Sequence, residues 1–264
     1  MKYRLKVKND LLYLFILLLI TQFFNYSVLR APLQFLILLG FLGLLLLETW
    51  FVRVFSIYSG RKISRYSDVI VKISLKDRFF GYFILPGIFY ISLLFFLYFN
   101  RNELLGHTVL GICTILLLIL FLNVKSSLNK IYSLAVATRA IFDFLCITIF
   151  YLLLNIFVRV GVGMETFALL SVIFSLVLLI FVLKIHDRVG LFEMLVSVLS
   201  ALFISLFTLL FWNRNIFVIP AIGSLAFYLV ISIWNIRFSG RIKFIDYILP
   251  FLYVVVAIIL VLNL

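Results

Sequence analysis

The feature that most constrains this chain is a recurrence of apolar runs near twenty residues long, each separated from the next by a short polar and mostly basic cluster. A helix of about 20 residues is what it takes to cross the hydrocarbon layer of a bilayer. Lipid offers no partners to free backbone N–H and C=O groups, so a segment spanning it must be helical or part of a closed barrel. Barrel strands would alternate apolar and polar residues with a period of two, and these runs do not. Composition agrees, since 66% of the 264 residues are hydrophobic and 12% charged, against about 45–50% and 25% in soluble domains. The expectation is an all-α, polytopic transmembrane helix bundle.

The runs predict nine spans, at residues 11–29, 31–52, 79–98, 104–122, 140–158, 164–183, 191–211, 216–234 and 247–264, forming one transmembrane domain over 1–264. The basic start (Lys2, Arg4, Lys6, Lys8) resembles a signal peptide. Its apolar part is long for an h-region and no small-residue cleavage site follows, so an uncleaved anchor is expected. Orientation follows from the retention of Lys and Arg in cytoplasmic loops. Of the 23 basic residues, only Arg30, Arg101, Arg159 and Arg214 fall on the side opposite the N-terminus. That division predicts a cytoplasmic N-terminus, an external C-terminus and a multi-pass protein of the inner or plasma membrane.

The net charge of +13 therefore reads as topology, not as a nucleic-acid surface. The basic loop from Arg53 to Arg78 is also suited to anionic lipid head groups, which makes membrane lipids the expected partners. Val69, Val71, Ile73 and Leu75 in that loop alternate, while Ile63, Tyr66, Ile70 and Ile73 fit a helix, so periodicity leaves both conformations open. Residues 124–139 carry Val124, Leu128, Ile131 and Ala135 at helical spacing, the pattern of a short amphipathic helix lying at the interface or packed on the bundle floor. A faint parallel repeat can also be traced, although Trp at an interface, Arg in a cytoplasmic loop and Pro in a first helical turn are each expected on their own. Trp50-x-x-Arg53, Ser59-Gly60-Arg61, Ile84-Leu85-Pro86 and Tyr90 are echoed by Trp234-x-x-Arg237, Ser239-Gly240-Arg241, Ile248-Leu249-Pro250 and Tyr253.

Ionisable residues inside apolar runs are functional candidates by default, because charge is costly in lipid. Here they are Glu48, Asp143, Glu193 and His107, all toward the ends of their spans; Arg61 and Arg241 of the repeat join them as residues to test. Interfacial solvation or pairing, such as Asp143 with Arg139 at i,i+4, is the reading preferred to ion coupling. Membrane transferases that bind a metal and a diphosphate need closely spaced carboxylates, yet Asp68, Asp77, Asp187 and Asp246 stand singly in their loops. A hydrolase needs a base near its nucleophile, and the topology puts His107 and His186 on opposite faces. Cys113 and Cys146 lie within spans and read as small core residues, not as metal ligands or a disulfide. No catalytic residue, cofactor or metal is expected. Thr21, Gln22, Asn25, Gln34 and Asn155 in the outer half are suited either to a small polar cavity or to helix-to-helix hydrogen bonds, and such bonds also explain Ser197, Ser200 and Ser205.

The stretch from Leu191 through Glu193, Trp212, Pro220, Ser239-Gly240-Arg241 and Tyr247, with Ile84-Leu85-Pro86 through Asn123 to Phe144, resembles hydrophobic, uncharacterised membrane proteins of reduced-genome candidate-phyla bacteria. The resemblance implies a bacterial inner-membrane protein of a family without an assigned activity. The leading expectation is a non-catalytic integral membrane protein acting through partners or lipids in the cell envelope. The alternatives are a transporter or flippase for a lipid-like or small hydrophobic substrate, and a membrane enzyme acting on a phosphate-bearing lipid.

Overall fold

The structure, a computed structural model, describes residues 7–27, 32–58, 80–100, 102–129, 135–238, 240 and 243–263. Among them are nine α-helices and no strand: α1 (Val7–Ser27), α2 (Leu33–Tyr58), α3 (Leu85–Phe99), α4 (Glu103–Asn129), α5 (Ala135–Val160), α6 (Met164–Ile185), α7 (Leu191–Leu209), α8 (Val218–Phe238) and α9 (Phe244–Leu262). Helices α2 and α4 to α9, and α3 together with the π-turn that leads into it (Gly81–Phe99), are long and apolar enough to cross a membrane, and α1 adds the shorter apolar stretch Leu11–Asn25. This is the predicted all-α, multi-pass bundle, with one helix for each expected span.

Several helices outrun the apolar runs that foretold them. A helix satisfies its own backbone, so it continues past the hydrocarbon edge wherever the side chains tolerate it. The amphipathic pattern over 124–139 falls in part on such extensions. Residues 124–129 continue α4 and 135–139 open α5, while 130–134 lie outside the described residues. The segment 59–79, with Arg61 and most of the basic loop, also lies outside them, as does Arg241.

The chain divides into two compact units, residues 1–141 and 142–264. In the first, α1 packs on α2, α3 and α4, and α2 also packs on α3 and α4. Helix α3 is entered through a π-turn, Phe80–Ile84, immediately before Pro86. Proline supplies no N–H and fits most easily in an opening turn, and the wider turn before it accommodates the missing bond. The core is aromatic: Trp50 of α2 stacks on Phe121 of α4 at 3.8 Å, and Phe51 meets the same ring edge-on at 5.9 Å. Leu85, Phe89, Tyr90, Phe96 and Leu97 of α3 are fully buried beside them.

In the second unit the short connection after Ile185 folds α6 and α7 into an antiparallel pair. Small hydroxyl residues let the two approach: Ser171 Oγ donates to Ser205 Oγ at 2.6 Å, and Ser205 Oγ to the Ala168 carbonyl at 3.1 Å. Helix α8 packs on α6, α7 and α9, and Phe150 of α5 stacks on its Phe227 at 4.8 Å. Helix α9 is different, since Val254 is the one buried residue among those described in it. Most of its other large apolar side chains are exposed, as lipid-facing positions are.

The two copies of the repeat occupy unlike surroundings. Tyr90 is fully buried and Tyr253 is 56% exposed. Pro86 lies in the opening turn of α3, whereas Pro250 lies inside α9. Cys113 and Cys146 are free and buried, as small core residues.

Candidate functional site

Of the candidate residues, Asp143 is the most deeply buried, at 4% exposure. Its partners come from two other helices. Helix α6 ends in a Schellman-type closure, in which Arg188 N–H donates to the Leu183 carbonyl at 3.0 Å and Asp187 N–H to that of Lys184 at 3.2 Å. Asp187 takes the left-handed position of that motif, with φ +55°. The closure fixes His186 at the end of α6, where its Nε2 lies 3.2 and 3.1 Å from the two carboxylate oxygens of Asp143. From α8, Asn235 Nδ2 donates to Asp143 Oδ2 at 2.8 Å. The Phe238 ring, one turn further along α8, lies 5.4 Å from the imidazole.

This junction ties α5, α6 and α8 together by directional bonds to one carboxylate. A buried carboxylate is tolerated when paired and hydrogen-bonded, and these two donors meet that need across helices. One atom is left over: the Oδ1 of Asn235 is buried without a hydrogen bond. The expected pairing of Asp143 is thereby extended to residues 43 and 92 positions away in the chain.

The other candidates are placed separately. Glu48 of α2 is half-buried, with Oε1 3.1 Å from where a Cβ on Gly87 would stand, so the carboxylate rests on the first turn of α3. Glu193 is the third residue of α7, and its carboxylate folds back over the N-cap residue Gly190. An acid there complements the free N–H groups and positive end of the helix. Replacing Glu193 with alanine should therefore cost about 0.5–1 kcal/mol of stability. Thermal unfolding of the purified variant beside the parent checks this, and no change would remove the capping role. Among the described residues, no three His, Cys, Asp or Glu side chains converge as a metal site would require.

The polar residues Thr21, Gln22, Asn25, Gln34 and Asn155 are placed variously, some in bonds within a helix and some in bonds across helices. Gln22 Nε2 and Asn25 Nδ2 of α1 both lie 3.3 Å from His107 Nδ1 of α4, while Thr21 donates to the carbonyl of Leu17 at 2.6 Å. Gln34 is exposed. Asn155 accepts from Arg159 Nε at 2.5 Å, and the Arg159 guanidinium lies over the Phe217 ring. Ser197 donates to the Glu193 carbonyl and Ser205 joins α7 to α6, so hydrogen bonds within and between helices account for both.

The sequence reading missed two members of the junction. In the sequence His186 reads only as a base without a nucleophile, and Asn235 stands between Trp234 and Arg237 without a motif. A lone amide in an otherwise apolar helix was the signal available for Asn235. Compared with known proteins, this chain is matched by no family model, no curated protein and no solved structure.

Proposed function

We propose that this chain is a non-catalytic integral membrane protein of a bacterial inner membrane, acting through lipids or partner chains in the cell envelope. The observation that supports this reading best is α9, most of whose exposed side chains, among them Ile248, Leu249, Phe251, Leu252 and Ile259, are apolar. Such a helix offers contact area and no chemistry. The acids, by comparison, rest on the backbone of a neighbouring helix, in a helix cap or in a cross-helix junction. The basic loops complete the reading as contacts for anionic head groups on the cytoplasmic side.

The second reading is a transporter or flippase, and the observation that favours it is the part-buried Asp143–His186 pair, since ionisable groups within spans line ion and substrate paths. Rescue of a deletion strain separates the two. With a non-catalytic role, Glu48→Gln and Asp143→Asn reduce rescue only as far as they reduce the amount of folded protein. Rescue abolished at undiminished abundance would put the transporter or an enzyme ahead. The orientation has its own test in paired reporter fusions, one active inside and one outside. Fusions at Gly60, His186 and Gly240 should report the cytoplasm and a fusion after Leu264 the exterior; an external signal at Gly60 would sink the proposed orientation.

A further inference from the structure

We propose that the place where α7 begins and α8 ends is a binding site for an anionic phospholipid, its phosphate on Arg237 and an acyl chain along the exposed face of α7; this rests on the reading of membrane lipids as contacts of the chain. Arg237 is exposed, and its guanidinium lies 5.0 Å from the centre of the ring of Phe192, the second residue of α7. Such stacking limits where the long side chain can swing and leaves its N–H donors unspent. Among the described residues none accepts a hydrogen bond from that guanidinium. The acids nearby are otherwise placed. Glu193, next in the chain to Phe192, is folded back over Gly190, and Asp246 lies in the first turn of α9, after the exposed Lys243. Arg237 and Lys243 thus flank the α8–α9 connection as two cations.

The surface that begins at the same ring identifies the ligand as a lipid. Phe192, Leu195, Leu199, Leu202 and Leu206 follow at alternating spacings of three and four residues, which puts them on one face of α7, and all five are exposed. At 1.5 Å per residue the part from Phe192 to Leu202 is about 15 Å long, the depth of one leaflet in a hydrocarbon layer of about 30 Å. A guanidinium with unspent donors at the head of an apolar stripe of this length asks for a phosphate joined to an acyl chain. A free phosphate would meet the first half of the site only, and an apolar peptide the second only. The head group of a zwitterionic lipid brings its own ammonium to the phosphate, in competition with Arg237. The two cations therefore favour a lipid of net negative charge.

Native mass spectrometry of the purified full chain in detergent, titrated with phosphatidylglycerol or phosphatidylcholine, reads the affinity for each lipid. The parent should prefer phosphatidylglycerol by about threefold or more. Arg237→Gln should weaken phosphatidylglycerol by about tenfold, the scale of a lost charged hydrogen bond, and remove the preference. Phe192→Leu keeps the apolar surface but no longer steers the guanidinium, and should weaken it by about threefold. Arg214→Gln, at an exposed arginine in the connection between α7 and α8, deletes the same charge at their other ends and should change nothing. No preference in the parent overturns this site together with the reading of anionic head groups as contacts. A preference that survives Arg237→Gln overturns the site and leaves that reading standing. Equal losses in Arg237→Gln and Arg214→Gln also overturn it, since net charge alone would then explain the binding. So does a dimer in the same spectra that Leu199→Asn disperses, which would put a second copy on the stripe. Should Arg237→Gln fail to fold, Phe192→Leu decides, and an affinity equal to the parent's overturns the proposal.

Discussion

Replacing Asp143 with alanine is expected to cost about 3 kcal/mol of unfolding free energy, because it leaves the His186 and Asn235 donors facing a buried void. Both donors were aimed by structure that survives the change. The end of α6 still closes through Leu183 and Lys184, and Asn235 still projects from α8. Both side chains are half-buried, so water offsets the lost acceptor only in part. A double-mutant cycle with His186→Ala distinguishes a specific bond from a general loss: the pair should lose less than the sum of the single changes by about 1–2 kcal/mol. Unfolding in mixed micelles, followed by intrinsic fluorescence, supplies the free energies. A loss below about 0.5 kcal/mol for Asp143→Ala, the scale of a surface substitution, would show that the junction holds nothing together.

The contrast between Asp143 and the helices that carry it shows what a sequence of this kind makes legible. Nine helices could be read because lipid imposes the rule locally: each run must satisfy its backbone by itself, and the polar clusters mark where the rule lapses. Partners of a buried side chain obey no such local rule. Arg139 was the visible candidate for Asp143 because it lies one turn away, whereas His186 and Asn235 reach it only after α6 and α8 have packed. The same limit explains the repeat. Matching short motifs at Trp50 and Trp234 specify similar interface chemistry, but α3 became a buried helix and α9 an exposed one. Glu193 was legible after all, as an acid three residues beyond Gly190 at the head of an apolar run.

Small residues at helix crossings were the other feature hidden from the sequence, and they carry the second large effect. Gly223→Ala in α8 is expected to cost about 2 kcal/mol, as overpacking of a closed site does. A Cβ there would stand inside van der Waals distance of Leu154 Cδ1 on α5 and 3.0 Å from Thr208 Oγ1 on α7. Neither neighbour can retreat easily. Leu154 and Thr208 are both fully buried, and Thr208 Oγ1 is held by its bond to the Ile204 carbonyl at 2.7 Å. Gly111 of α4 makes the control, since a Cβ there meets nothing within 4 Å. Helix propensity then acts alone, and Gly111→Ala should leave stability unchanged or raise it by up to about 1 kcal/mol. The two variants thus make the same chemical change with opposite expected signs. Measured side by side in mixed micelles, a loss at Gly223 with none at Gly111 would locate the cost at the meeting of α5, α7 and α8. Equal shifts at both sites would mean that the close approach of Leu154 and Thr208 to Gly223 does not constrain the fold.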